Sequence, residues 1–184
     1  MGQVFNAAFK SANQEKWHMH SPYDFNSPAR MCQIGMIGNP LVLYVQMMIF
    51  RNPMQVVFAG CYGPNEEGSQ DNIFHGANSL QVNLNVNTAM MNELSKLLMD
   101  MSDKPHYLVN HTKKEYVDYS KVERNAMYEK ADPLPILCAE GNGEGCGDYE
   151  GNNKELAGIW ARDLISLETE KPTDFAELTP RFMW

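Results

Sequence analysis

One short segment of this sequence concentrates residue types that can bind ligands. Residues 139–151, AEGNGEGCGDYEG, contain five glycines and four carboxylates. Glycine lets the backbone approach a ligand closely, and carboxylate and amide oxygens are the ligands that hard cations prefer. We call this segment the glycine loop and treat it as the first candidate binding site.

The charges of the glycine loop favour a cation over a phosphate. Its carboxylates would repel an anion, and its alternating glycines fit neither GxGxxG nor a P-loop. Glu140, Asn142, Glu144 and Gly145 stand at positions 1, 3, 5 and 6 of an EF-hand, but position 12 is Gly151 instead of the required Glu. Three interpretations stay open: a divalent-cation site, another kind of ligand loop, or a solvated connection shaped by its glycines.

The candidate ligand-binding residues come from this loop and the segment after it. They are Glu140, Asn142, Glu144, Asp148 and Asp163. A cation or acid–base site would require their side chains to converge within about 5 Å in a cleft. No cofactor other than a divalent cation is expected.

Histidines are a second source of metal ligands. HMH (18–20) places two imidazoles on one side of a strand, and a third ligand would have to come from His75, His106, His111 or a cysteine. The chain has neither HExxH nor CxxC. This pattern favours surface or hydrogen-bonded histidines.

The cysteines give little support for nucleophilic catalysis. Cys61 follows a glycine after an apolar run, where a nucleophile paired with a histidine can sit. However, Cys32, Cys61, Cys138 and Cys146 are scattered, and we expect them to be reduced and mostly buried. No GxSxG occurs, and no catalytic residue is predicted.

Capping signals and hydrophobic periodicity predict the elements that position these residues. Asn39 and Pro40 predict the start of a helix over 40–51, and the apolar spacing of 88–101 predicts another. MQVVFAGCYG (54–63) reads as a buried strand, and the alternation in LQVNLNV (80–86) predicts a half-buried strand.

The second half of the chain is predicted to be rich in strands. Residues 106–120 read as a hairpin around NHTKK, 133–138 as an edge strand and 158–168 as a further strand. The aromatic tail FAELTPRFMW (175–184) is expected to dock on the domain. We therefore predict an α+β fold, a mainly antiparallel sheet packed by about two helices in a single domain over 1–184.

Charge and hydropathy exclude several classes of function. The chain has 15 Lys and Arg against 23 Asp and Glu, a net charge of −8, and no basic cluster larger than TKK (112–114). This argues against nucleic acid or an anionic membrane as partner. The longest apolar run, 41–50, is half the roughly 20 residues that span a bilayer, and MGQVFNAAFK lacks the core of a secretory signal.

Several motifs together resemble a known group of proteins. The most specific are NHTKKEYVD in the hairpin, AEGNGxGxGDYxG, and the following W.RD.IS.E. In this order they resemble a family of small uncharacterised proteins of tailed bacteriophages and their bacterial hosts. The resemblance spans most of the chain and implies a phage or host-cell setting, but it implies no activity and no residue role.

This chain departs from the family pattern at three positions. Cys61 stands where the family has the aspartate of WAGDYA, and Glu144 and Cys146 stand where arginine and glycine are typical. Any activity that used the aspartate would be missing here, and a Cys61 nucleophile would not be a family feature.

These observations lead to two functional hypotheses. The first is a non-enzymatic phage-type interaction protein that binds a protein partner, either a host factor or a phage component, in the bacterial cytoplasm or in the virion. The alternative is a small enzyme or a cation- or ligand-binding domain that uses the glycine loop.

Overall fold

The computed structural model describes residues 2–79, 96, 106–122 and 131–183. In these ranges the α-helices are α1 (Met31–Ile34), α2 (Pro40–Ile49), α3 (Ile73–Gly76) and α4 (Pro133–Leu137). The strands are β1 (Phe5–Lys10), β2 (His18–His20), β3 (Met54–Gly60), β4 (Asn78–Ser79), β5 (Tyr107–Asn110), β6 (Glu115–Asp118), β7 (Ala139–Glu140), β8 (Leu164–Glu168) and β9 (Ala176–Glu177). Short 3-10 turns cover Pro22–Phe25, Tyr119–Lys121 and Lys154–Leu156.

All of these strands join one mixed, mostly antiparallel sheet. Eight follow the order β4-β2-β1-β3-β8-β5-β6-β9, and β7 pairs with β3 outside this path. β8 runs antiparallel to the start of β3, and β7 runs parallel to its end. The chain therefore has the predicted α+β fold, and the glycine loop starts at the centre of the sheet.

The central strands are buried on both faces, which explains their continuous apolar sequences. In β3, Val56 and Phe58 join the larger core cluster with α2 and α4, whereas Val57 and Ala59 join a smaller cluster with Ile73 of α3. Successive strand residues point to opposite faces, so each of the two cores receives alternate side chains.

Helix α2 begins and ends close to its predicted bounds of 40 and 51. Asn39 Oδ1 accepts hydrogen bonds from the amides of Leu41 (3.0 Å) and Val42 (3.4 Å), and Pro40 occupies the first turn. Capping by asparagine and the preset φ of proline favour this start. The prediction of a helix here is confirmed.

Two predictions in the second half are also confirmed. β5 and β6 pair as an antiparallel hairpin with Leu108 opposite Val117, and the tail docks because β9 pairs with β6 and Phe182 is buried. Phe182 packs edge-on against Tyr149, with their ring centroids 5.4 Å apart. The C-terminal segment is thus part of the core.

The predicted edge strand 133–138 is wrong, because Pro133–Leu137 is helix α4. Asp132 caps it through a 3.0 Å hydrogen bond from the Leu134 amide. Prolines at the start of a helix cost little, since the first amides have no intrahelical partner. The signal was the Asp-Pro pair, which is also a typical helix start.

The predicted strand 158–168 is only partly correct. Leu164–Glu168 forms β8, but the preceding residues turn, with positive φ at Gly158 and Arg162. The predicted strand 80–86 and helix 88–101 lie outside the described residues, apart from Lys96.

Candidate functional site

The glycine loop is held by two of its own polar side chains. Asp148 Oδ2 accepts hydrogen bonds from the amides of Gly143 (2.7 Å) and Gly145 (2.9 Å). Asn142 pairs with the backbone of Tyr149, accepting from its amide (2.7 Å) and donating to its carbonyl (3.1 Å). Asp148 is 4% exposed. Asn142 and Asp148 therefore stabilise the conformation of the glycine loop through hydrogen bonds to its own backbone.

The N-terminal segment enters the same loop. The Gln3 amide donates to the Cys146 carbonyl at 2.9 Å, and its side-chain nitrogen donates to the Gly141 carbonyl at 2.6 Å. A Cβ on Gly145 would lie 2.6 Å from the Gln3 Cβ, so only glycine fits there. Gln3 is fully buried and joins the glycine loop to β1.

Glu140 belongs to an ion cluster instead of a cation site. Both of its oxygens accept from Arg162, at 2.5 Å from Nε and 2.8 Å from Nη2. Arg162 also pairs with Glu66 at 2.5 Å, and the hydrogen bond that Arg162 donates to Glu140 raises the pKa of its guanidinium. The bidentate pair holds the start of the glycine loop on Arg162, and the ion pair with Glu66 connects Arg162 to the 61–72 connection.

Asp163 forms its hydrogen bond and its ion pair with residues of the β5–β6 hairpin. It accepts from Asn110 Nδ2 at 2.8 Å and lies 3.7 Å from Lys113 Nζ. Asn110 is fully buried, and its own oxygen accepts the amides of Thr112 and Lys113. This network shapes the turn of the hairpin.

The structure thus distributes the five predicted ligand residues over separate roles. Asn142 and Asp148 fasten the loop, Glu140 pairs with Arg162, Asp163 holds the hairpin, and Glu144 is exposed. Among the described residues, no group of three or more His, Cys, Asp or Glu side chains is arranged to hold a metal ion.

Two buried oxygens at the glycine loop nevertheless accept no hydrogen bond from the described residues. They are Asp148 Oδ1 and Gln3 Oε1. A buried acceptor without a donor carries a desolvation cost, which a cation or a donor group could remove.

The HMH segment lies in the sheet as β2. His20 is buried among aromatic rings, 4.8 Å from the centroid of Tyr44 and 5.9 Å from that of Phe25, and its Nε2 is 3.1 Å from the Tyr44 hydroxyl. Its surroundings are those of a packed core histidine.

The expectation that the cysteines are mostly buried is wrong. All four are free, but only Cys138 is buried, whereas Cys32 and Cys61 are half-buried and Cys146 is exposed. Burial raises the pKa of the Cys138 thiol well above its ordinary value. The glycine loop runs at the surface, and that position exposes Cys146.

Sequence reasoning missed a buried polar network beneath α2. Asp132 accepts from Gln46 Nε2 at 2.9 Å and from the Tyr119 hydroxyl at 3.0 Å. Burial raises the pKa of Asp132 to about 6, and the hydrogen bonds from Leu134, Tyr119 and Gln46 oppose that shift. The three side chains are far apart in sequence, so spacing carries no signal for this network.

A second missed chain of polar groups runs across β5 and β8. His111 Nε2 lies 2.7 Å from Ser166 Oγ, which donates to Glu168 Oε1 at 2.7 Å. Burial lowers the pKa of His111, while nearby Glu168 raises it. Ser166 is fully buried and lies between the other two groups, so this is not the arrangement of an activated serine nucleophile.

The residues that define the sequence motifs bind one another. Trp160 of W.RD donates to Glu115 of the hairpin at 2.8 Å, and its indole is fully buried. Asn110 pairs with Asp163 and Glu140 with Arg162, as described above. The motifs therefore build one structural framework.

An exposed aromatic side chain stands on this framework. Tyr62 is 41% exposed and covers Gly145, where an added Cβ would lie 3.2 Å from its ring. Around it, the 61–72 connection and the glycine loop carry seven carboxylates and no lysine or arginine. We call the surface formed by these two segments around Tyr62 the acidic face.

Comparisons with protein family models, with curated proteins and with solved structures give no match for this chain. In the ranges that the structure describes, no helix has the length and apolarity needed to cross a membrane.

Proposed function

We propose that this chain is a non-enzymatic interaction protein that binds a protein partner through the acidic face. The observation that carries the proposal is Tyr62, an exposed aromatic residue that packs on the backbone of Gly145 and belongs to the acidic 61–72 connection. The proposed setting, a tailed phage or its bacterial host, rests on the motif resemblance.

The support beneath Tyr62 suits it to binding. Asn72 Nδ2 donates to the carbonyls of Cys61 (3.3 Å) and Gly63 (3.1 Å) on either side of it. Tyrosine provides a large contact area with few rotatable bonds, and a backbone that is already held loses little entropy on binding. Such residues are common among those that dominate the energy of interfaces.

The charges around Tyr62 indicate the chemistry of the partner. Arg162 forms ion pairs with Glu66 and Glu140, whereas Glu67, Asp71 and Glu144 are exposed. A complementary surface would carry lysine or arginine side chains around a pocket for the tyrosine. Exposed charges of this kind would accelerate association and make it sensitive to salt.

A comparison of two exposed tyrosines tests the proposal. The full-length chain and its Tyr62→Ala and Tyr23→Ala variants are immobilised and exposed to lysate of phage-infected host cells. Tyr23 is 68% exposed and belongs to the separate Pro22–Phe25 turn, so it is the matched control. We expect a specific partner to be retained by the wild type and by Tyr23→Ala, and lost with Tyr62→Ala.

The retained partner is then tested in purified form at two salt concentrations. Glu67→Gln combined with Glu144→Gln is expected to weaken binding mainly through a slower association rate. The proposal for this face would be contradicted by a partner that binds Tyr62→Ala as well as the wild type. It would also be contradicted if Glu67→Gln and Glu144→Gln together left the association rate unchanged.

One observation favours a second candidate, a cation site in the glycine loop. Asp148 Oδ1 and Gln3 Oε1 are buried oxygens without donors among the described residues, and oxygens are the ligands of Ca²⁺ and Mg²⁺. Specific binding would raise the thermal unfolding midpoint in the presence of the ion. We expect Asp148→Asn to remove any such rise, and a midpoint that no divalent ion shifts would rule this candidate out.

A further inference from the structure

Two of the four cysteines lie beside each other at the junction of α1 and the glycine loop. The Cys32 amide donates to the carbonyl of Gly147 at 3.3 Å, and Gly147 directly follows Cys146. Burial raises the pKa of the Cys32 thiol, and nearby Cys146 adds to that shift. The backbone contact therefore brings both cysteines to the same junction.

Both thiols can be reached from solvent. Cys146 is exposed and Cys32 is half-buried. The side chain of Arg30 packs over Gly147, where an added Cβ would lie 2.8 Å from its Cδ, and its charge lowers the pKa of Cys32. The guanidinium opposes the effect of burial without cancelling it, so the pKa of Cys32 stays above its ordinary value and Cys146 is the cysteine more open to a dissolved disulfide.

We propose that Cys32 and Cys146 form a reversible intramolecular disulfide by exchange with a low-molecular-weight disulfide such as oxidised glutathione. This pair would be a modification site that links α1 to the glycine loop. The inference stands independently of the proposed partner binding, since it depends only on the position of the two cysteines.

The exchange takes place in two balanced steps. The Cys146 thiolate attacks one sulfur of glutathione disulfide, and that S–S bond breaks to release one glutathione thiolate and leave a mixed disulfide on Cys146. The Cys32 thiolate then attacks the Cys146 sulfur and releases the second glutathione. Two protein thiols are oxidised, one glutathione disulfide is reduced to two thiols, and the protons of the protein thiols pass to the leaving groups.

The test uses the full chain incubated with oxidised glutathione, followed by acid quenching, alkylation of free thiols and peptide mass spectrometry. We expect a cross-linked peptide pair containing Cys32 and Cys146, which dithiothreitol reverses, with Cys61 and Cys138 alkylated. The oxidised chain should show a higher thermal midpoint, by roughly 5 °C or more, because the bond closes a long loop.

Single variants separate this pair from general thiol reactivity. Cys32→Ser should retain glutathione on Cys146 without resolving it, whereas Cys61→Ser, the half-buried control, should form the same cross-link as the wild type. The circular dichroism of each reduced variant checks its fold. A lasting glutathione adduct on wild-type Cys146, a cross-link to Cys61, or unreactive thiols would overturn the proposal.

Discussion

At the scale of single residues, Asp148 shows how a candidate ligand can serve the fold. One carboxylate oxygen satisfies two loop amides, and the residue is almost completely buried. Its near neighbour Glu144 has the same charge but is exposed. Burial and partners thus separate two residues that look equivalent in the sequence.

We expect Asp148→Ala to lower the free energy of unfolding by about 2–3 kcal/mol, because it removes two hydrogen bonds to a charged acceptor. Glu144→Ala should change it by less than about 0.5 kcal/mol, as is usual for exposed positions. Urea denaturation of both variants measures the difference. Equal midpoints for the two would show that Asp148 does not hold the loop.

Asp132 predicts a pH dependence at the same scale. Its pKa of about 6 in the folded chain exceeds the ordinary value of 3.8, so the folded state binds a proton that the unfolded state releases. The stability from this group is therefore fully present below the ordinary pKa and is lost as the pH rises through about 6.

Asp132→Asn removes this titration. We expect the difference in unfolding free energy, wild type minus variant, to fall by about 2 kcal/mol from roughly pH 4 to pH 7. Chemical denaturation at a series of pH values measures it. A difference that stays constant with pH would mean that the buried carboxyl does not titrate in this range.

At the scale of elements, the glycine loop is determined by its close contact with the 61–72 connection. Gly141 and Gly143 both have positive φ, at 84° and 103°. A Cβ on Gly141 would lie 2.7 Å from the Gly63 Cα, whereas a Cβ on Gly143 would meet nothing within 4 Å. A side chain at Gly143 would therefore meet only backbone strain, whereas a side chain at Gly141 would meet the same strain and also collide with the 61–72 connection.

Gly143→Ala should cost about 1 kcal/mol, from the positive φ alone. Gly141→Ala carries the same strain and also forces two backbones apart, so we expect a further loss of about 1–3 kcal/mol. Thermal unfolding of the matched pair measures the excess. Similar losses for both would show that the two loops are not in close contact.

At the scale of the whole molecule, the two ends of the chain meet the glycine loop. Gln3 enters it from the N-terminus, and the Tyr149 hydroxyl binds the backbone of Met183, donating to its carbonyl and accepting from its amide, both at 3.1 Å. Burial raises the pKa of Tyr149 to about 12. Both termini therefore belong to the region that carries the acidic face.

We expect Phe182→Ala to lower the unfolding free energy by about 3 kcal/mol, because a buried ring is replaced by a cavity. Phe175, which is half-buried against His111, provides the matched control, with a loss of about 1 kcal/mol. Fluorescence of buried Trp160 follows the transition when all of these variants are made in a chain that also carries Trp17→Phe and Trp184→Phe. If Phe182→Ala left the unfolding midpoint reported by Trp160 unchanged, the tail would not be coupled to the core.

The sequence by itself determined the elements whose signals are local. The cap at Asn39, the apolar strand β3 and the hairpin around NHTKK all follow from neighbouring residues, as does the α+β class. The prediction of an edge strand over 133–138 was wrong because a short apolar run with prolines fits both an edge strand and the first turn of a helix, and Asp132 caps the helix. Charge alone also excluded a phosphate loop.

Only the tertiary structure decided what the glycine loop does. Glu140 accepts hydrogen bonds from Arg162, Asp148 from the loop amides, and Asp163 from Asn110. These partners lie as many as 53 residues apart in the sequence. The acidic face and the neighbouring Cys32 and Cys146 arise in the same way, from segments brought together by the sheet. The sequence specifies which side chains are present, but folding decides which of them come close enough to bind one another.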